Sequence, residues 1–269
     1  MRKFIPTPSS STRELGFFTV HFYALSILLG IVIAIWLTKR RYLAMGGNPN
    51  EISDLAFFVI PAGIIGGRIY HVVTSPQKYF GEGGSPLQAL QIWRGGLGIW
   101  GAISLGGLAA FIFFRARKRS LSFAQLADAI APGLLLAQGI GRFGNWFNGE
   151  LFGKPTSLFW GLEIPLANRP SGFEGFETFH PTFLYEAIWC FLVALLIMRV
   201  NLFNNLKSYG SIFIIYVMAY SFGRFFIESV RIDEANLILG LRLNIWVSVL
   251  MFLGASGLFL RKNSINPKK

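Results

Sequence analysis

The chain has 269 residues, 53% of them hydrophobic and only 14% charged, with a formal net charge of +12. A soluble domain of that length carries about a quarter charged residues; here the apolar residues are gathered into runs rather than spread at core periodicity, which excludes a soluble globular protein and points to spanning helices. The positive charge sits in short clusters after the apolar runs, the placement that orients membrane helices, and it excludes a nucleic-acid partner.

Residues 1–16 are polar, and the apolar stretch that follows is closed by Lys39, Arg40 and Arg41 without a small-residue cleavage site, so an uncleaved first helix is expected over 17–38 rather than a signal peptide. Six more runs near the roughly 20 residues that a span needs fall at 55–75, 97–114, 123–146, 182–200, 210–230 and 241–260. The fourth is the weakest, with Asp128, Pro132 and Arg142 in or beside it. The expected fold is an all-α polytopic membrane protein: seven transmembrane helices in one integral-membrane catalytic domain over 1–269, with an outward-facing head region. Gly66-Gly67 and Gly106-Gly107 are expected to serve close helix packing, and Asp128 to cap or orient a helix. Cys190, the one cysteine, lies inside an apolar run and offers neither a disulfide framework nor metal-site spacing.

With the N-terminus outside, the inside segments hold Lys39, Arg40, Arg41, Arg115, Arg117, Lys118, Arg119, Arg199, Lys207, Arg261, Lys262, Lys268 and Lys269. The outside segments hold fewer, spread over more residues: Arg2, Lys3, Arg13, Lys78, Arg94, Lys154, Arg169, Arg231 and Arg242. That bias predicts an outside N-terminus and an inside C-terminus. It leaves two long outside connections, about 76–96 and 147–181, rich in Gly, Pro and aromatics.

Ionisable groups at membrane depth are costly and mark function. In this orientation His21, Tyr23, Arg68, His71, Trp100, Arg142, Asn145, Asn148, Glu150, His180, Tyr185, Glu186, Arg224 and Glu228 all fall toward the outer side. Arginine forks match phosphate oxygens two at a time; the asparagines can order a glycerol or ester, and Glu150, Glu186 and Glu228 can pair with arginine or take a proton. Plainer readings exist: Arg224 and Glu228 are four apart and can form an intrahelical pair, while His21 and Tyr23 fit an interfacial belt. On these residues alone a lipid-modifying enzyme and a transporter of an anionic solute both fit. The inner halves, nearly featureless apart from Asp128, disfavour a transport path.

The run Gly141-Arg142-Phe143-Gly144-Asn145-Trp146-Phe147-Asn148-Gly149-Glu150-Leu151-Phe152-Gly153 resembles the signature of bacterial prolipoprotein diacylglyceryl transferases. His21-Phe22-Tyr23-Ala24-Leu25, Gly67-Arg68-Ile69-Tyr70, Arg94-Gly95-Gly96-Leu97, His180-Pro181-Thr182-Phe183-Leu184-Tyr185-Glu186 and Gly223-Arg224-Phe225-Phe226-Ile227-Glu228 match in order, so the resemblance covers about 17–260. It implies transfer of the diacylglyceryl group of phosphatidylglycerol to the lipobox cysteine of a prolipoprotein, forming a thioether and releasing glycerol phosphate, at the bacterial inner membrane and without metal or cofactor. The expected catalytic residues are Arg142, Asn145, Glu150, Arg224, Tyr23 and His180. The expected substrate contacts are Arg142, Arg224, Asn148, Gly153, Arg68, Tyr185, Glu186, Glu228 and Trp100.

One position departs from that pattern. Many members carry a histidine shortly after the Arg-Gly-Gly segment, proposed as the base for the thiol proton; here the chain reads Gly98-Ile99-Trp100-Gly101. Tryptophan accepts no proton. A thiol with a pKa near 8.5 is already a few per cent thiolate at neutral pH, and nearby arginines lower that pKa, so arginine-assisted thiolate formation with Glu150 or His180 as acceptor is expected.

Overall fold

The computed structural model describes residues 4–16, 18–92, 95–116, 119–199, 208–235 and 237–265. Arg2, Lys3, Arg94, Arg117, Lys118, Lys207, Lys268 and Lys269 of the charge pattern, and Val200 at the end of the fifth predicted span, lie outside the described residues.

In chain order the elements are β1 (Ile5–Pro6), β2 (Thr12–Leu15), β3 (Phe18–His21), α1 (Phe22–Ala44), α2 (Asn50–Thr74), the one-turn α3 (Gln77–Phe80), α4 (Ile99–Ala116), α5 (Phe123–Asn148), β4 (Leu162–Glu163), β5 (Thr178–Phe179), α6 (Thr182–Met198), α7 (Ser211–Val230), β6 (Leu237–Ile238), β7 (Leu241–Arg242) and α8 (Leu243–Ile265). Six of these helices are long and apolar enough to cross a membrane, and α6, at 17 residues, is a shorter apolar seventh. Outward-facing apolar side chains such as Val32, Leu250 and Phe57 are exposed, as expected where lipid rather than protein covers the helix.

The first span starts later than its apolar run. Residues 18–21 pair with 12–15 as an antiparallel hairpin, His21 opposite Thr12, so His21 closes a strand and Phe22 opens the helix. At the other end α1 runs through Lys39–Arg41 to Ala44, because Lys and Arg are good helix formers and end a hydrophobic segment without ending the helix.

Two compact units are defined by contacts, Met1–Thr38 with Ala127–Lys269, and Lys39–Leu126. In the second unit, glycines set the approach of α2 and α4. A Cβ on Gly66 would lie 2.3 Å from the Gly101 carbonyl oxygen, and one on Gly101 would lie 2.1 Å from that of Gly66. Gly67 also serves this contact, its carbonyl accepting from the Gly98 amide at 2.8 Å; Gly106 makes ordinary contact with Val59, and Gly107 faces open space. Gly66→Ala should therefore cost about 1–3 kcal/mol, the range for overpacking a tight contact, read as a lowered midpoint in a detergent melt, whereas Gly107→Ala should leave the midpoint unchanged.

In the first unit α1 and α5 approach through small residues on both sides: Gly30 faces Ala137 and Gly133 faces Ala34 and Thr38. The four-residue spacing on each helix is the small-residue pattern of membrane packing. Helices α5, α6 and α7 close on an apolar cluster of Leu135, Cys190, Val193, Ala194 and Ile197, which makes Cys190 a buried packing residue. Asp128 caps α7 from α5: its carboxylate accepts the backbone N–H groups of Gly210 (2.6 Å) and Phe213 (3.0 Å), satisfying amides that a helix N-terminus leaves open. The connection after α5 forms a head with its own core of Phe152, Leu162, Ile164, Phe179 and Phe183. There the three-stranded sheet β1-β4-β5 adds a small β element to the helical bundle.

Candidate active site

The run 141–153 spans the end of α5 and the turn after it, and its residue types have separate jobs. Helix α5 stops at Asn148 because Gly149 takes the left-handed conformation (φ 59°). The Gly149 amide donates to the Trp146 carbonyl and the Glu150 amide to the Asn145 carbonyl, both at 3.1 Å, the paired bonds of a Schellman ending. This folds Glu150 back over the last helical turn, where its Oε1 accepts the side-chain amides of Asn145 (2.9 Å) and Asn148 (3.1 Å). A Cβ at Gly149 would also lie 2.8 Å from Asn168 Nδ2. Gly149→Ala should cost about 1–2 kcal/mol, the penalty of a left-handed L-residue, and should lower activity with it; a thermal melt beside an activity assay checks both.

Gly144 and Gly153 are spaces rather than contacts. A Cβ on Gly144 would fall 2.6 Å from the Tyr23 ring, and one on Gly153 would fall within 3 Å of both Val230 and the His180 Cβ. The Gly153 amide donates to the His180 carbonyl at 2.9 Å. Leu151, with φ 57°, is one of two non-glycine residues in the left-handed region among the described residues; such strain concentrates at functional sites. Its carbonyl accepts the Thr182 hydroxyl.

At the centre, Glu186 on α6 is shared by two arginines. Arg142 Nη2 donates to its Oε1 at 2.7 Å and Arg224 Nη1 to its Oε2 at 2.8 Å, while the Tyr220 hydroxyl adds a bond to Oε1 at 2.9 Å. Arg142 Nη1 reaches Asn145 Oδ1 at 3.2 Å, which links the α5 ending to the ion pairs. Arg224 Nη2 stands 2.6 Å from Oε2 of Glu228, one turn on, so the intrahelical pair and the shared site are the same structure. Glu228 is fully buried and also meets Arg242 Nε at 2.7 Å. Arg142, Asn145, Leu151, Thr182, Phe183, Glu186 and Arg231 line one narrow recess.

Beside this cluster, Tyr185, His180 and Trp160 form a chain. The Trp160 indole N–H, which can only donate, donates to the Tyr185 hydroxyl at 3.0 Å, and that hydroxyl stands 3.0 Å from His180 Nδ1. With its oxygen already accepting, Tyr185 is set to give its proton to Nδ1, which places the imidazole proton on Nε2. Burial, then the charge of Lys154, hold the His180 pKa below the usual histidine value, so the ring is neutral at pH 7.

Thus Tyr23, Arg142, Asn145, Asn148, Glu150, Gly153, His180, Tyr185, Glu186, Arg224 and Glu228 all belong to the first unit, at the N-terminal ends of α1 and α6, the C-terminal ends of α5 and α7, and the head. Arg68 and Trp100 belong to the second unit. Arg68 is buried and spends its donors on backbone carbonyls of the connection after α3: Ala89 at 2.7 Å, Gly95 at 2.6 Å, Gly96 at 3.1 Å and Gln88. As folded it is the anchor of that connection. Trp100 lies in the first turn of α4, partly exposed. His71 is held by the Tyr79 hydroxyl at 2.9 Å.

The sequence reading left out Tyr220, Trp160, Arg231, Asp233 and Arg242. Arg231 and Arg242 entered it only as loop charges, and Trp160 and Tyr220 are indistinguishable from membrane aromatics until their polar atoms have partners. The glycine just past a helix end was a usable signal for the turn at Gly149.

Comparison with known proteins gives a consistent result. The sequence model described as "Prolipoprotein diacylglyceryl transferase" matches residues 11–261. Proteins named phosphatidylglycerol–prolipoprotein diacylglyceryl transferase are similar over most of their length. That of Streptomyces coelicolor (the enzyme numbered 2) is 51% identical, covering 94% of this chain and 78% of its own. That of Cutibacterium acnes is 50% identical over 93% and 84%, and that of Corynebacterium glutamicum 48% over 98% and 87%.

Proposed function

Because the chain belongs to the prolipoprotein diacylglyceryl transferase family, we infer that it transfers the diacylglyceryl group of phosphatidylglycerol to the lipobox cysteine thiol of prolipoproteins, the lipid-attachment step of bacterial lipoprotein maturation. The observation that carries this reading is the pair Arg142 and Arg224 on one shared carboxylate, Glu186, at the ends of spanning helices. Two guanidiniums held side by side form a seat for a phosphodiester. The carboxylate between them keeps the site neutral enough to be buried before lipid arrives.

In this mechanism Arg142 and Arg224 hold the phosphate, and Asn145 and Asn148, fixed by Glu150, order the glycerol headgroup. Tyr23, Tyr185, Glu186, Glu228 and Gly153 shape the site; Arg68 and Trp100, residues of the second unit, are further proposed substrate contacts. The cysteine sulfur attacks the glycerol carbon that bears the phosphate; the S–C bond forms as the C–O bond breaks, and glycerol phosphate leaves with the electron pair. Arginine charge stabilises both the thiolate and the departing phosphate. The thiol proton goes to Glu150, or reaches His180 Nδ1 by relay through the Tyr185 hydroxyl, which takes the thiol proton as it passes its own to that nitrogen. Transfer at wild-type rate in both Glu150→Gln and His180→Ala would remove them as acceptors; the expected result is that one falls by about 10²-fold or more, the usual worth of a positioned base.

We further propose that both units act as one catalytic domain in the inner membrane, N-terminus outside, C-terminus cytoplasmic and site toward the outer face, where secreted precursors emerge. The apolar cluster closing α5, α6 and α7 favours an enzyme over an anion transporter, which needs a polar path. Release of glycerol phosphate from phosphatidylglycerol vesicles tests the choice: it should require a peptide bearing a lipobox cysteine, and peptide-independent uptake of glycerol phosphate without any release would favour transport.

A further inference from the structure

We propose that Arg231 is a third guanidinium that grips the phosphate of the lipid substrate, and that Arg242 is the positioning residue that holds it in place. The proposal rests on the transfer reading above and adds to it a residue pair that entered the sequence pattern only as outside charge.

Arg231 follows directly on the end of α7, and its side chain is only 7% exposed. Its Nε and Nη2 are committed to the two oxygens of Asp233, at 2.7 and 2.8 Å, a bidentate fork that fixes the plane of the guanidinium. The remaining nitrogen, Nη1, is 3.5 Å from Glu228 Oε2, beyond hydrogen-bond length. The same residue lines the recess with Arg142, Asn145 and Glu186. One edge is therefore clamped, and the other has donors to offer where the phosphate is expected.

Arg242 braces both carboxylates that flank Arg231. Its Nε donates to Glu228 Oε1 at 2.7 Å, its Nη2 to Asp233 Oδ2 at 3.0 Å and its Nη1 to the Asp233 carbonyl at 2.6 Å. The backbone ties this segment to the signature run: Gly153 bridges to Arg231, and the Lys154 amide donates to the Val230 carbonyl at 2.9 Å. Charge points the same way. Among the described residues the ion-paired cluster joins four guanidiniums (Arg142, Arg224, Arg231 and Arg242) to three carboxylates (Glu186, Glu228 and Asp233). Glu150 stands beside it on two amides rather than on an arginine. One positive charge in the ion pairs is left over, and a phosphodiester brings one negative charge.

The test uses the full-length protein in mixed micelles, with phosphatidylglycerol and a lipobox peptide varied separately. Arg231→Gln should lower kcat/KM for phosphatidylglycerol by about ten- to a hundredfold, the worth of a charge-assisted hydrogen bond, with the KM for peptide unchanged. Arg242→Lys should shift the lipid KM in the same direction. The double variant Arg231→Gln/Asp233→Asn, which removes both partners of the fork, should not recover; recovery to wild-type rates, or a shift confined to the peptide KM, would overturn the proposal. Glycerophosphoglycerol, the deacylated headgroup, gives a readout independent of turnover: it should raise the melting temperature of the wild type and not of Arg231→Gln. Equal stabilisation of both proteins would overturn the grip even if transfer holds. Arg231-dependent stabilisation in a protein that transfers nothing would keep the grip and overturn the transfer reading.

Discussion

Arg142→Ala should reduce diacylglyceryl transfer by about 10²–10³-fold, the cost of removing one preorganised group that stabilises charge developing in a transition state, while the protein still folds. The expectation of intact folding follows from the partners left behind. Glu186 keeps Arg224 at 2.8 Å and the Tyr220 hydroxyl at 2.9 Å, so no buried carboxylate is stranded. Arg142→Lys should fall between wild type and alanine, because lysine restores the charge but not the planar fork. Steady-state transfer measured beside a thermal melt separates the two effects: activity should collapse with little movement of the midpoint.

Glu228→Gln should behave in the opposite order, losing stability first and activity as a consequence. Glu228 is wholly buried and is the meeting point of Arg224 (2.6 Å), Arg242 (2.7 Å) and Arg231 (3.5 Å). Removing its charge leaves the arginines facing one another with only Glu186 and Asp233 to share. Breaking a buried pair from one side costs about 3–5 kcal/mol, enough to be seen directly as a lower midpoint and reduced recovery of folded protein. Asp233 cannot fully compensate, since Arg231 and Arg242 already use both its oxygens. Against the opposing pull of burial, those bonds hold the Asp233 carboxyl below its usual pKa. Its contribution is thus present above the ordinary aspartate pKa and is lost as pH falls through the lowered value.

The helices were readable because a spanning segment announces itself by length and apolarity alone. All seven predicted spans have a helix, and even the fourth, with Asp128, Pro132 and Arg142, is a 26-residue helix. Its polar residues have physical reasons: Asp128 caps α7 and Arg142 sits at the end of the helix, paired with Glu186. The start of α1 was misplaced because Phe18 and Val20 continue the apolar run as a strand of a hairpin, and hydrophobicity does not separate a strand from a helix over four residues. Similarly, the run 141–153 identified which residues gather at the site but not how. Gly149 and Glu150 act through a helix ending whose two backbone bonds appear only once the chain has turned. Arg231 and Arg242 were hidden for the opposite reason: they sit between spans, where a basic residue is expected anyway, and only the buried Glu228 and the half-buried Asp233 give them a second role.

The most direct measurement is the mass of a lipobox peptide after incubation with the purified protein and phosphatidylglycerol. The expected product carries one diacylglyceryl group in thioether linkage to cysteine. It should be absent when that cysteine is serine and absent with Arg142→Ala, and it should be accompanied by glycerol phosphate. A well-folded wild-type protein that leaves the peptide mass unchanged would contradict the proposed reaction, and would mark Trp100, where many members of the family carry a histidine, as the first residue to restore.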